Sequence, residues 1–315
     1  MSKENYVTYF DSWFLPQGLA LHSSLEKHGG DYTLWIICLD EKTHEILCQL
    51  NLSNIKLLKL AEVETDELIN VKGGRSRVEY YWTLTPFAPR FVFEADPLIQ
   101  RVTYLDADLW FRKSPEPIFL EFVTSGKEVL ITDHSYAPEY DKSALSGQYC
   151  VQFMIFNRNG GEIVRKWWEE RCLEWCFAHT EDNKFGDQKY LDDWPQRFSK
   201  YVHVLRNKEW ALAPWNATRF PYGNCIFYHF HDLKLLNCQS ACLGGYILPP
   251  VLMQNIYRPY LDCLRKIIDD LKIVNYVPKA QRKRLGIILL LKIKIAFIIS
   301  HRWQFNIYKI MSLDL

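Results

Sequence analysis

Two carboxylates one residue apart, Asp106 and Asp108, follow the run Val102-Thr-Tyr-Leu105, and apolar residues resume at Leu109. Two bare carboxylates in such a setting are costly to desolvate. A divalent cation answers that problem. Hard oxygen ligands suit Mg2+ or Mn2+, which commonly share their shells with substrate phosphates. The competing reading is a turn whose acids cap the next element, since a D-x-D often arises by chance. A second candidate is Tyr228-His-Phe-His231. Either His229 or His231 could complete a metal shell, and both face the same way if the strand continues through them. A third runs from Phe185 to Trp194. There Asp187 and Gln188 can hydrogen-bond sugar hydroxyls and Trp194 can stack on a ring; alternatively Asp187 caps a helix.

The elements that carry these residues follow from periodicity. Tyr6–Phe10 alternates as a strand, and Pro16 opens a helix that Gly29-Gly30 ends. Tyr32–Leu39 is a continuous apolar run, the mark of a strand buried on both faces. Glu41–Leu50 reads as a helix and Ile55–Leu60 as a third strand. Thr85-Pro86 has the order of a helix start, running to about Ala95. Strands are expected at Arg101–Leu105, Val129–Thr132, Cys150–Phe156 and Ile226–His229, and helices at Gly161–His179 and Val251–Leu271. Strand then helix, repeated, means βαβ units and a mainly parallel sheet. Ligands bind such sheets at the carboxyl ends of the strands. That rule selects Asp11, Asp106, Asp108, Asp133 and His229. No G-x-G-x-x-G follows a strand and no Walker lysine motif exists, which counts against dinucleotide and P-loop chemistry.

Composition fits an ordinary globular enzyme of 315 residues, with 48% apolar and 24% charged residues. Aromatics reach 15%, a supply of rings for a cleft or a core. The net charge of +1 argues against a nucleic-acid partner. Nine cysteines without a C-x-x-C are expected as buried free thiols in a reducing cytoplasm. The polar N-terminus does not read as a signal peptide. Charge is uneven. From Pro278 onward there are eight Lys and Arg and a single acid, Asp314, against 30 basic and 36 acidic residues before it. Leu285–Leu291 and Ile295–Ile299 are apolar runs interrupted by Lys292 and Lys294, which argues against a transmembrane helix. Lys283 and Lys294 fall about 20° apart round a helix. The expectation is a basic amphipathic segment at about 279–310 lying on the anionic inner leaflet. Packing on its own domain, or on a second subunit as a homo-oligomer, is the alternative.

In this order the segments resemble the GT-A-fold glycosyltransferases, particularly those of glycosyltransferase family 8, over roughly Tyr6 to Lys234. Thr8-Tyr-Phe-Asp11 is similar to the family's nucleotide-binding opening, and Tyr104-Leu-Asp-Ala-Asp108 to its metal motif. Gln152-Phe-Met-Ile-Phe-Asn157 lies where the family has an asparagine-led strand that touches the donor sugar. Gly186-Asp-Gln188 resembles its acid-plus-amide segment, and His229-Phe-His-Asp-Leu-Lys234 its closing H-F-x-G-x-x-K. Three departures stand out. Asp232 replaces a usual glycine and the spacing to Lys234 is one residue short. Gln152 replaces asparagine. The arginine expected near Thr83 is missing, with Arg75 or Arg77 standing in.

The resemblance implies an α/β GT-A fold, Rossmann-like, with a mainly parallel central sheet and a C-terminal helical tail. Residues 1–245 would form the catalytic domain and 246–315 a helical extension. It implies Mn2+ or Mg2+ on Asp106, Asp108 and His229. A nucleotide-sugar donor, UDP-linked, would be held by Thr8, Tyr9, Phe10, Asp11 and Arg77, with Asp133 and Gln152 orienting the sugar and Lys234 facing the diphosphate. Asp187 and Gln188 would act at the reacting sugar, Gln188 nearest its reacting carbon. Transfer would proceed with retention to a saccharide or lipid-linked glycan acceptor. A sugar nucleotidyltransferase is the rival enzyme, but Phe10–Phe14 lacks its Gly-rich basic loop. A non-catalytic glycan-binding domain is the other rival.

Overall fold

The computed structural model describes residues 3–220, 224–279, 281 and the strand 307–309. The strands are β1 (Glu4–Phe10), β2 (Tyr32–Cys38), β3 (Ile55–Lys59), β4 (Arg101–Leu105), β5 (Leu109–Phe111), β6 (Val129–Asp133), β7 (Tyr149–Asn157), β8 (Val202–Val204), β9 (Ala211–Leu212) and β10 (Phe227–His229). Among the described residues the main sheet has seven strands in the order β3-β2-β1-β4-β7-β6-β8. All neighbours run parallel except where β7 lies antiparallel between β4 and β6. The expected mainly parallel α/β sheet is therefore present, with one reversed strand that the pattern did not reveal.

Alternation along the strands feeds two cores. Tyr6, Leu34 and Ile36 face one layer, Val7, Trp35 and Ile37 the other. The first layer is covered by α1 (Leu15–His28), α2 (Glu41–Leu50) and the helix Glu116–Ser125, the second by Phe87–Ala95 and the long helix Arg158–Glu174. Gly18 lets α1 settle on β1, since a Cβ there would fall 2.3 Å from the Phe10 ring. Asp40 caps α2 through the Thr43 amide, and its other oxygen accepts the Ser12 amide and hydroxyl, which pins the loop after β1.

A second small sheet, β5-β10-β9, stands at the carboxyl ends of the main strands. The helix Arg258–Leu271 packs on it and on α1 through Tyr260, Leu261, Leu264 and Ile268, with Tyr260 stacked on Phe230. Beyond it β11 (Lys234–Asn237), β12 (Ser240–Cys242) and β13 (Ile307–Lys309) form an antiparallel ribbon. Thr85 does not start a helix as expected. It closes the helix Arg77–Leu84, and the next begins at Phe87. Six of the nine cysteines are buried. No helix among the described residues is long and apolar enough to cross a membrane. Most of the basic segment expected at 279–310 lies outside the described residues.

Candidate active site

A cavity of about 670 Å3 opens at the carboxyl ends of the strands. β4 delivers Asp106 and Asp108 to its floor. β10 pairs antiparallel with β5, placing His229 opposite Leu109, and the Phe230 amide donates to the Asp108 carbonyl. Residues separated by 121 positions are thus locked by backbone bonds, and one ligand atom from each of Asp106, Asp108 and His229 falls within 4.8 Å of the others. His229 Nε2 lies 3.1 Å from Asp108 Oδ1 and 3.7 Å from Asp106 Oδ2. His231 is not in this group: β10 ends at His229, and the His231 ring packs against Trp215 and Tyr246. Unlike buried His229, His231 is exposed and lies along the cavity wall.

The group sets two partly exposed carboxylates, 22% and 16%, against a buried imidazole. Burial pushes Asp106 up to about 6, and Asp108 adds to it, although His229 and the Tyr104 hydroxyl pull the other way. Burial also opposes ionisation of Asp108, but its charge contact and hydrogen bond with His229 outweigh that and hold it below the ordinary range. His229 is held well above its usual value, burial notwithstanding, by Asp108 and Asp106. Two oxygens and an imidazole nitrogen converging on one point form the donor set a hard or borderline divalent cation accepts. The residues fit a cation.

Asp187 is buried on the same cavity, with Oδ2 lacking a hydrogen-bond partner among the described residues. Its carboxyl is pushed up to about 7 by burial, reinforced by Asp106 and resisted by Thr85. Trp168 Nε1 donates to its backbone carbonyl, 2.9 Å, and so fixes the segment; Gln188 lines the cavity beside it. The expected helix-cap role for Asp187 is not observed, and Trp194 is fully buried in the core rather than available for stacking.

The opposite end of the cavity is formed by the loop after β1. Asp11 Oδ1 accepts the amides of Trp13 and Phe14, while Oδ2 accepts the Tyr81 hydroxyl and lies 3.5 Å from Arg77. The Arg77 guanidinium stacks over Trp13 at 4.9 Å. Arg77 lines the cavity, whereas Arg75 is turned away to Thr83 and the Leu173 carbonyl. Tyr9 and Phe10 line the cavity too, Tyr9 bonding the Tyr81 carbonyl and Thr85. Lys234 reaches the rim and pairs with Asp232 at 3.2 Å. Asp232 has φ of +62°, which explains why glycine suits that position.

Three residues expected at the donor site lie outside the cavity lining. Thr8 is fully buried in the central strand and does not line the cavity. Asp133 does not line it either. One oxygen caps Ser135 and the other pairs with Lys208 at 2.9 Å, so its loop consumes it. Gln152 is fully buried behind His229, because β7 runs antiparallel and its early residues sit beside Asp106. Conversely, Trp13, Tyr81, Trp215, Tyr246 and Gln281 line the cavity unannounced. Trp13 adjoins Asp11 and was within reach of sequence reasoning. The others arrive by contacts distant in the chain.

The mixed sheet and the carboxylate pair after β4 define a class, the fold of the GT-A glycosyltransferases. Mouse xyloside xylosyltransferase 1 superposes with TM-score 0.50 at 16% identity, covering 73% of this chain and 98% of that one. The galactosyltransferase LgtC, in complex with donor and acceptor sugar analogs, gives 0.53 at 11% identity, covering 83% and 95%. The bifunctional glycosyltransferase WbbM gives 0.53 at 14%, covering 88% of this chain and 52% of that one. No protein-family model matches the chain. The chain belongs to the family of the uncharacterized protein YfnF of Bacillus subtilis (strain 168), to which it is 30% identical over 251 residues, 74% of this chain and 82% of YfnF. YfnD of the same organism is 29% identical over 292 residues, 86% of this chain and 92% of YfnD.

Proposed function

We propose that this protein is a metal-dependent glycosyltransferase that moves a hexose from a UDP-sugar to a saccharide or lipid-linked glycan. The observation that carries the reading is the convergence of Asp106, Asp108 and His229 on the floor of a large cavity at the strand ends. The likeness to LgtC, whose structure holds donor and acceptor sugar analogs, supports it. Asp106, Asp108 and His229 would hold Mn2+ or Mg2+, which neutralises the charge that develops on a departing diphosphate. Trp13, with Arg77 across its face, offers a platform for a flat base, and Asp11 orders the loop that carries it. Asp187, inclined to stay protonated near neutrality, can donate a hydrogen bond to a sugar oxygen as well as accept one. Gln188 orients the reacting sugar from the same wall. In the family resembled, such sites act with retention and without a strong general base, and the same course is proposed here.

UDP with Mn2+ should raise the thermal midpoint and EDTA should remove the effect. A midpoint unmoved by UDP and Mn2+ sinks the donor-site reading. Donor identity is then read by screening UDP-, GDP- and CMP-sugars for metal-dependent hydrolysis. The division at 245/246 and a basic tail on the anionic inner leaflet belong to the same proposal. Exchanging Lys283, Lys292 and Lys294 for Gln should weaken sedimentation with anionic vesicles by roughly 10²-fold, at about 1 kcal/mol per charge. Unchanged sedimentation refutes the membrane role.

A further inference from the structure

Gln152 does not face the cavity, and the directions of its hydrogen bonds define what it does instead. The Thr132 hydroxyl lies 3.3 Å from the Cys150 carbonyl, which can only accept, so the hydroxyl donates there. Its lone pairs are left for the Gln152 amide nitrogen at 3.4 Å, which can only donate. The amide is thereby oriented, and its oxygen, which can only accept, lies 2.9 Å from His229 Nδ1. His229 must carry a hydrogen on Nδ1. Nε2 then faces Asp106 and Asp108 with its lone pair whenever the ring is neutral. Thr132 and Gln152 are fully buried, so no solvent competes for this chain of bonds.

We infer that Gln152 is a positioning residue that holds His229 in the Nδ1–H form with Nε2 presented to a cation between Asp106 and Asp108, and that Thr132 sets the direction of the amide. The inference rests on the cation reading above. The reverse amide orientation would set an N–H against the Nδ1–H. The other tautomer would aim a hydrogen at the cation. An acceptor behind a ligating imidazole fixes both ring orientation and tautomer, and its loss typically weakens metal binding by about 10–100-fold.

The test is Mn2+ binding to the full chain, with and without UDP, read from the free-ion EPR signal. Gln152→Leu fills the space but accepts no hydrogen bond, and should weaken Mn2+ by about 10–100-fold. Gln152→Glu keeps an acceptor at the same reach and should rank with the wild type. A packing role predicts the opposite order, because leucine suits a dry core and a carboxylate does not. Wild-type affinity in Gln152→Leu overturns this inference alone. A wild-type protein that takes up no Mn2+ even with UDP overturns the cation reading beneath it. Should the variants not fold, [15N]histidine-labelled wild type loaded with Zn2+ decides: metal on Nε2 and hydrogen on Nδ1 of His229 supports the relay, metal on Nδ1 refutes it.

Discussion

At one end of the cavity Asp106, Asp108 and His229 ride on strand ends, tied by the β5–β10 ladder and by the bond from the Asp106 amide to the Gln152 carbonyl. At the other end Trp13 and Phe14 sit on a loop whose order comes from side chains: Asp11, Tyr81, Arg77, Asp40, Tyr276 and Gln281. The first end converges three ligand atoms before anything binds, which suits electrostatic work that tolerates no reorganisation. The second end is assembled from contacts of moderate strength, most of them part-buried and one, Arg77 with Asp11, exposed, which suits recognition of a ligand that must enter and leave. Changes at the ladder end should therefore strike turnover and metal affinity. Changes at the loop end should strike donor affinity.

The sharpest break of this contrast is Asp108→Ala. Removing one ligand from a preorganised group should cost about 10³-fold in donor hydrolysis, several kcal/mol at 1.36 kcal/mol per tenfold. It should also abolish Mn2+-dependent stabilisation by UDP. Retained metal dependence in that variant breaks the assignment of the ladder end to chemistry.

Asp187→Asn comes next, with a loss of about 10²-fold in turnover. It also carries a pH signature in EDTA-treated protein. The folded-state carboxyl stands at about 7 against an ordinary 3.8, so between those values the folded protein keeps a proton that the unfolded chain has released. Stability contributed by the protonated form is complete below about 4 and is lost as pH rises through about 7. The loss is about 4 kcal/mol at most, by the same conversion. Denaturant midpoints of wild type minus variant should fall across that window. A difference that does not change with pH contradicts the burial argument.

Arg77→Ala tests the loop end. Loss of the stacked guanidinium should raise the donor KM about tenfold with kcat nearly unchanged. Stability should move by less than about 1 kcal/mol, because Arg77 is 55% exposed and its pair with Asp11 is screened. A fall in kcat instead would merge the two ends.

The same contrast separates what was legible in the sequence from what was not. The βαβ order, the acids after β4 and the histidine after a late strand were readable because each is local: a period, a strand end, a residue type. The place of Gln152 behind His229 was not legible, because it depends on β7 running antiparallel and an apolar run carries no sign of its direction. Asp133 ends a strand at the correct pole, yet the neighbouring Ser135 amide and the distant Lys208 claim both of its oxygens. Arg75 and Arg77 could not be told apart from spacing. Ser76 caps the helix from Arg77 onward through a capping box with Glu79, and that helix start aims Arg77, not Arg75, at the cavity. Tyr276 and Gln281 give no sign at all in the sequence, because the loop carbonyls they bond lie more than 260 positions away.

The smallest expected effect is therefore the most discriminating. The buried Tyr276 hydroxyl donates to the Ser12 carbonyl, and Gln281 donates to that of Trp13, so the region after the last long helix clamps the loop that carries the base platform. Tyr276→Phe keeps the ring and removes one bond, leaving a buried carbonyl less well satisfied, a cost of about 1 kcal/mol. In a chain of this size that lowers the thermal midpoint by only about 2 °C. Part of the cost should appear as looser UDP binding, about threefold, because the ligand must now order the loop itself. Mn2+ binding without UDP should stay at the wild-type value, since no bond of the ladder end is touched. Equal losses for Mn2+ and UDP would mean that the two ends of the cavity respond as one body, and the division of labour between ladder and loop would have to be given up.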